Sequence, residues 1–309
     1  MSSGAGATAR NPLRWARHRI GSAGLNRSMV LRRLSQVGHP RLRELRARGL
    51  AGERPADRML GHVISFLESG VATIPSGYAH GLKLDMHSMP ISHAHFGSLT
   101  YGNLESAVQE AMLRHLAEGG VFYDIGANLG FFALLGARLA GPEGTVIAFE
   151  AAPDNAEAIR VNAALNGFTN IEVIAKAVSN RPGIGSLQIV DDQSWSKLAD
   201  YGEHPNTEQV MDVELVSIDQ LIADGTIRPP TVVKIDVEGA ELAVLEGMHS
   251  TIKAYQPAII CELHDTHAEF VKFTRDCGYR AINLEGTIPV EEEGASAHAL
   301  ALPALNSGE

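Results

Sequence analysis

From about residue 121 onward, short runs of buried-type residues alternate with longer amphipathic stretches. Val121–Ile125, Thr145–Phe149, Ile171–Val178, Thr231–Asp236 and Ala258–Leu263 are rich in Val, Ile, Phe and Tyr, and they predict strands covered on both faces. Between them, Asn128–Ala140, Pro153–Asn166, Glu238–Tyr255 and Thr266–Cys277 predict helices. Gly141-Pro142 and Asn166-Gly167 are helix stops, and Pro153 suits a first turn. A strand-helix alternation of this kind implies a parallel sheet with right-handed crossovers. Upstream, Leu104, Val108, Ala111, Met112 and Leu116 share one face of a helix predicted over Leu104–Glu118, capped by Asn103 and ended by Gly119-Gly120.

The rhythm breaks in two places. Arg181–Val216 predicts a strand pair, Ser186–Val190 and Val210–Val216, around a long polar loop holding Trp195, of the length expected either for a lid or substrate wall or for an ornamental insertion. Tyr279–Leu284 and Ala297–Leu302 predict a closing antiparallel pair. Residues 1–57 show no sustained apolar period, while His62–Leu67 and Gly81–Met86 predict strands with turns near Ser76-Gly77 and Ser88-Met89-Pro90. The expected organisation is an extension over 1–57, a strand and helix cap over 58–120, and the main domain over 121–305.

The turn after the first strand carries chemistry. In Asp124-Ile125-Gly126-Ala127-Asn128-Leu129-Gly130, the glycines follow G-x-x-x-G. Asn128 occupies the place where a dinucleotide fingerprint needs a glycine beside the pyrophosphate. Asp124 at the strand tip repels phosphate and attracts an ammonium group. Backbone N–H groups at the following helix start are expected to face the ligand. A ligand with an amino group and no phosphate, such as S-adenosylmethionine, fits this turn. The plain alternative is a turn that only joins strand to helix. Glu150 ends the next strand, about 20 residues past the glycines, where an acid in nucleotide-binding units accepts both ribose hydroxyls.

Lys234-Ile235-Asp236-Val237-Glu238-Gly239-Ala240-Glu241 and Glu262-Leu263-His264 end two further strands. Adjacent parallel strands share one rim, so Asp236, Glu238, Glu262 and His264 are expected to converge beside the cofactor crevice. A structural ion pair, Lys234 with Glu262, is the competing account. The spacing of these acids, and of His80, His87, His93 and His95, matches no metal motif, and no resident metal is read.

Charge and composition narrow the class. The formal net charge is −10, which argues against a nucleic-acid binder. Eleven arginines and one acid within residues 1–50 give that segment +10, leaving −20 for the rest. A solvated tail is one reading; contact with an anionic partner or membrane surface is another, since the Arg32-Arg33 pair lacks the apolar core of a targeting signal. The two cysteines offer no disulfide framework, and no apolar run is long enough to span a bilayer, so a cytoplasmic location is expected. Composition does not speak to oligomeric state.

Asp124–Gly130, Phe149-Glu150-Ala151-Ala152-Pro153, Ala177-Val178-Ser179, Lys234–Glu241 and Pro257–His264, with the lead-in Tyr101–Glu105, together resemble the FkbM-type methyltransferase family over about residues 100–280. Ala151-Ala152 departs from that family's more usual proline-containing turn. The resemblance implies a class I, Rossmann-like, mostly parallel seven-stranded sheet with helices on both faces, here with a basic N-terminal extension. It implies S-adenosylmethionine as donor, held by Asp124, Gly126, Ala127, Asn128, Gly130, Glu150 and Ala177. It implies O-methylation of a sugar, glycolipid or polyketide-like acceptor, with catalysis expected from Asp236, His264 and Glu238. An NAD(P)-dependent oxidoreductase and a non-catalytic binding protein are the alternatives on the same fold.

Overall fold

In the computed structural model, the residues described are 70–85, 98, 102–190, 197–202, 207–293 and 296–304. Elements are numbered along these residues. A hairpin, β1 (Val71–Thr73) and β2 (Lys83–Asp85), precedes helix α1 (Ser106–His115). Then come β3 (Val121–Ile125), α2 (Phe131–Ala140), β4 (Thr145–Phe149), α3 (Pro153–Asn166) and β5 (Ile171–Ile174). The insertion comprises β6 (Ala177–Val178), β7 (Gly183–Val190), β8 (Lys197–Leu198) and β9 (Thr207–Val216). The remainder is α4 (Ile218–Ala223), β10 (Val232–Ile235), α5 (Glu241–Glu246), α6 (His249–Tyr255), β11 (Ala258–His264), α7 (His267–Asp276), β12 (Tyr279–Asn283) and β13 (Ser296–Pro303).

Seven strands form the main sheet in the order β12-β13-β11-β10-β3-β4-β5. The pairs from β11 through β5 are parallel, and β13 runs antiparallel to both its neighbours. All five residues of β3 and all four of β10 are buried, as strands covered on both faces require. Phe122 and Tyr123 are fully buried at the centre, each stabilising the fold by roughly 1.5–3 kcal/mol. β3 and β10 lie side by side and parallel, and the chain builds the sheet outward from them to opposite edges, so this switch in strand order opens a crevice at their carboxyl ends.

The insertion forms its own four-stranded sheet, order β6-β9-β7-β8. Leu187, Leu198 and Val213 of this sheet bury against Ala152 at the start of α3, so the insertion is tied to the chain just past the carboxyl end of β4. The β1–β2 hairpin is tied there too. Asn162 and Asn166 of α3 accept hydrogen bonds from the Asp85 and Lys83 amides at 2.6 and 2.8 Å.

Several predicted boundaries shift, each for a local reason. The helix predicted from Leu104 with an Asn103 cap begins at Ser106, because Glu105 is left-handed with φ 43° and the Asn103 carbonyl accepts from the Ser106 hydroxyl. The helix predicted from Asn128 begins at Phe131, because Asn128 (φ 50°) and Gly130 (φ 84°) are left-handed. The strand predicted over Ile171–Val178 divides, its first half joining the main sheet and its second the insertion, where the Lys176 amide folds back to the Ile174 carbonyl. The helix predicted over Glu238–Tyr255 starts at Glu241 and breaks at Gly247. Two donors outside it, the Ser217 hydroxyl and the Asp219 amide, take the Gly247 carbonyl, and the Asp219 carboxylate caps the next helix at Ser250 and Thr251. The predicted strand His62–Leu67, and Trp195, His87, His93 and His95, lie outside the described residues.

Candidate active site

The carboxyl ends of β3, β4 and β10, together with the insertion, enclose one cavity. It is lined by Gly126, Asn128, Glu150, Ala177, Asp236 and Glu238, with apolar walls from Phe149, Val178, Leu187 and Leu198. Sequence-predicted Asp124, Ala127, Gly130 and His264 do not line it.

The turn after β3 is closed on itself. The Gly126 and Ala127 amides both donate to the Phe149 carbonyl at 3.0 Å, and the Gly130 amide donates to the Ala127 carbonyl at 2.8 Å. The Asn128 amide donates to Glu150 Oε2 at 2.8 Å. The Gly126, Ala127, Asn128 and Gly130 amides are therefore spent inside the turn. The glycines serve packing as well as turning. A β-carbon on Gly126 would lie 1.8 Å from the Asp236 carbonyl oxygen, and one on Gly130 would meet Ile159 at 3.1 Å, both at left-handed φ.

Glu150 braces this turn from β4. Its Oε2 takes the Asn128 amide and its Oε1 the Ala152 amide, each at 2.8 Å. Each oxygen keeps a second lone pair for a hydroxyl donor from the cavity. Burial pushes its pKa up to about 7, against the pull of the two amides.

Asp124 sits in mid-sheet beside Lys234, its register partner on β10. The Asp124 side chain is 1% exposed and neither oxygen has a well-aligned hydrogen bond. Burial raises it to about 6, with the nearby Lys234 charge opposing. Lys234 is buried as well; its Nζ lies 2.9 Å from Asp236 Oδ2 and 4.6 Å from the centre of the Phe132 ring. The lysine thus pairs with Asp236, not with Glu262. Burial raises the Asp236 carboxyl above its ordinary range, and Lys234 only partly offsets this.

The rim acids and histidine converge as their strand ends require. His264 Nδ1 lies 2.8 Å from Glu241 Oε1, and its Nε2 lies 3.5 Å from Glu238 and 3.6 Å from Glu262. Burial alone would lower His264, but the Glu241 and Glu262 carboxylates outweigh it and raise the imidazole to about 11. At neutral pH the ring is therefore a cation, not a proton acceptor. Glu238 is raised to about 7 by burial, with His264 opposing. Glu262 is pulled well below the carboxylate range by His264 and His298, despite burial. The sequence reading did not assign roles to Glu241, Glu105 or His298. Glu241 had a signal, three residues past Glu238 and so one turn along the same face. His298, on an antiparallel strand far along the chain, had none.

The strand order and this crevice are those of the class I methyltransferase fold, whose enzymes take their methyl group from S-adenosylmethionine. The residues fit that group. A ribose needs a carboxylate acceptor, and Glu150 lines the cavity; an adenine needs apolar walls, and Val178, Leu187 and Leu198 supply them. Comparison with known proteins agrees: residues 124–281 match the methyltransferase FkbM domain, and the chain belongs to that family. Among curated relatives, it is 31% identical over 161 residues to the hexuronic acid methyltransferase AglP of Haloferax volcanii, across 52% of this chain and 62% of that protein. It is 27% identical to the 31-O-demethyl-FK506 methyltransferase FkbM of Streptomyces tacrolimicus, across 62% of this chain and 86% of that one. Among solved structures, the methyltransferase FkbM of Methylobacillus flagellatus superposes with a TM-score of 0.40 at 14% identity, across 79% of this chain and 59% of that chain.

Proposed function

We propose that this protein O-methylates a hydroxyl of a small-molecule or glycan acceptor, of the sugar, glycolipid or polyketide-like kind. The observation that carries the reading is the joint one at the cavity: the turn amides are spent internally, while the carboxylates of Glu150, Asp236 and Glu238 line the space. A pyrophosphate needs free amides and glycine clearance, so a nicotinamide dinucleotide is the poorer occupant. The two relatives are named for a hexuronic acid and for demethylated FK506, which supports the acceptor class.

When bound, S-adenosylmethionine supplies a methyl group on a sulfonium leaving group. Glu150 would hold the ribose hydroxyls; Asn128 and Ala177 line the same cavity. Asp236 would hold the acceptor hydroxyl and accept its proton; its raised pKa makes it a better base than an exposed carboxylate. His264 stays charged and orients Glu238 and Glu241. Glu238 offers a second base, because it lines the same cavity and is raised to about 7.

The test is Asp236→Asn. Cofactor affinity should stay within about tenfold, or ~1.4 kcal/mol, while turnover falls by roughly a hundredfold or more. Full turnover would remove Asp236 from the chemistry; loss confined to Glu238→Gln would pass the role to Glu238. The acceptor itself follows from mass spectrometry of cells with and without the protein, as the metabolite lacking one methyl group. A reducing, cytoplasmic setting is supported by the free thiols of Cys261 and Cys277. The arginine-rich first fifty residues add a candidate contact with an anionic partner or membrane surface.

A further inference from the structure

Behind the rim, a second cluster holds three carboxylates around one imidazole. His298, on β13, points its Nε2 between Glu105 Oε2 at 3.2 Å and Glu262 Oε2 at 3.5 Å. Its Nδ1 is 2.6 Å from Glu285 Oε1. His298 is 8% exposed, and neither its Nε2 nor Glu105 Oε2 has an aligned hydrogen-bond partner. The three inward atoms lie within 4.8 Å of one another. None of the three residues lines the methyl-transfer cavity.

We propose that Glu105, Glu262 and His298 bind a divalent first-row transition-metal ion. Three features carry this. First, one nitrogen and two carboxylate oxygens from three separate segments face a common point, and such a mixed donor set suits Mn²⁺, Fe²⁺ or Zn²⁺ rather than Mg²⁺ or Ca²⁺. Second, Glu285 Oε1 lies 2.6 Å from Nδ1 and orients the ring with Nε2 inward, the outer carboxylate arrangement that metal-binding histidines use, and the ion would displace the proton that Nε2 carries in its absence. Third, the charge balance calls for a cation. Glu105, Glu262 and Glu285 surround a single histidine, and Glu262 is shared with His264, which already serves Glu238 and Glu241. Glu105 and Glu262 are partly buried, the nearby Lys234 charge offsets only part of their excess over the histidines, and a divalent ion supplies more.

The ion ties the lead-in to α1, through Glu105, to the carboxyl end of β11 and to β13. It also fixes Glu262, the neighbour whose charge bears on Asp236. Its role is to hold the acceptor side of the site, and it stands independently of which acceptor is methylated.

The full chain, stripped with a chelator and dialysed, should bind one Mn²⁺ or Zn²⁺ at this site in calorimetry. His298→Ala should abolish that binding event, and Glu105→Gln should weaken it at least tenfold. His80→Ala, an exposed histidine, should leave it unchanged. Mn²⁺ should raise the melting temperature of the wild type and not that of Glu105→Gln, which retains side-chain shape and guards against a folding artefact in the alanine variant. Pulsed EPR of the Mn²⁺ form should show a nitrogen coupling that His298→Ala removes. Equal binding by wild type and both variants overturns the assignment. So does a stripped, folded wild type that binds no ion below millimolar concentration, or a nitrogen coupling lost instead in His264→Asn.

Discussion

Glu150 is a carboxylate whose two oxygens already hold the Asn128 and Ala152 amides, so under the proposed reading it would brace the turn and hold the ligand at once. Only the ionised form accepts both amides and still offers a lone pair to each ribose hydroxyl. Because burial places its pKa near 7, cofactor affinity should fall as pH drops from 8 to 5.5. Glu150→Ala should weaken binding by roughly 1.5–3 kcal/mol and flatten that pH profile. Titration calorimetry at both pH values checks this; an unchanged slope in the variant would place the titrating group elsewhere. Lys234 shows how a residue identity becomes a role only through its neighbours. As a strand lysine it invited pairing with Glu262, but its side chain runs over Phe132 to Asp236 and raises the acidity of the very group proposed to take the proton.

At the scale of elements, the insertion matters more than its polar loop suggested. β7 and β8 place Leu187 and Leu198 in the cavity wall, opposite residues from β4 and β10. Both side chains belong to a small cluster with Ala152 and Val213, separate from the core beneath the main sheet. Leu198→Ala should therefore weaken cofactor binding about tenfold, or ~1.4 kcal/mol, while shifting the urea midpoint little. Global destabilisation on the scale of a core Leu→Ala change, about 2–5 kcal/mol, would show that the insertion is part of the main core instead. The start of α5 also matters at this scale. Left-handed Glu238 and Gly239 delay it to Glu241, whose carboxylate takes the Gly239 amide and lies 2.8 Å from His264 Nδ1.

At the scale of the molecule, the rim groups set how stability varies with pH. His264 and His298 are raised to about 11 and about 10, so their contribution is complete below pH 6.5 and fades as pH climbs through those values. Asp124, Glu150 and Glu238 are raised to between about 6 and about 7, so they too favour the folded state most at low pH and cost stability once ionised. Glu262 is lowered, and its contribution is full above pH 4.5 and lost on further acidification. The signs combine to an optimum at about pH 4, where the loss from Glu262 begins to exceed the gain from the three raised acids. Urea midpoints should be higher at pH 5.5 than at pH 8.5, and the reverse order would contradict the buried charge states described here. The chain's halves can be tested too. A protein lacking residues 1–57 should fold and bind cofactor, because that segment has no core-forming pattern. Removing residues 1–85 should destabilise it, since β2 supplies the backbone partners of Asn162 and Asn166 on α3. A stable 1–85 deletion would make the hairpin dispensable.

The amino-acid order alone specified the alternating strands and helices, the glycine turn, the acid at the end of β4 and the four rim residues at the ends of β10 and β11. Each depends on local periodicity or on the rule that parallel strand ends share an edge, and both are written in nearest-neighbour patterns. Tertiary structure alone decided the rest. Whether the turn amides were free depended on the Phe149 carbonyl and Glu150, which reach them from another strand. Whether Lys234 met Asp236 or Glu262 depended on side-chain paths inside a sheet. Whether His264 could act as a base depended on how many carboxylates surround it. Glu105 and His298 lie almost 200 residues apart in sequence, and only the insertion of β13 between β12 and β11 brings them together at 3.2 Å. No local pattern encodes such a meeting, because pKa, hydrogen bonding and ligation are set by contacts across the fold rather than along the chain.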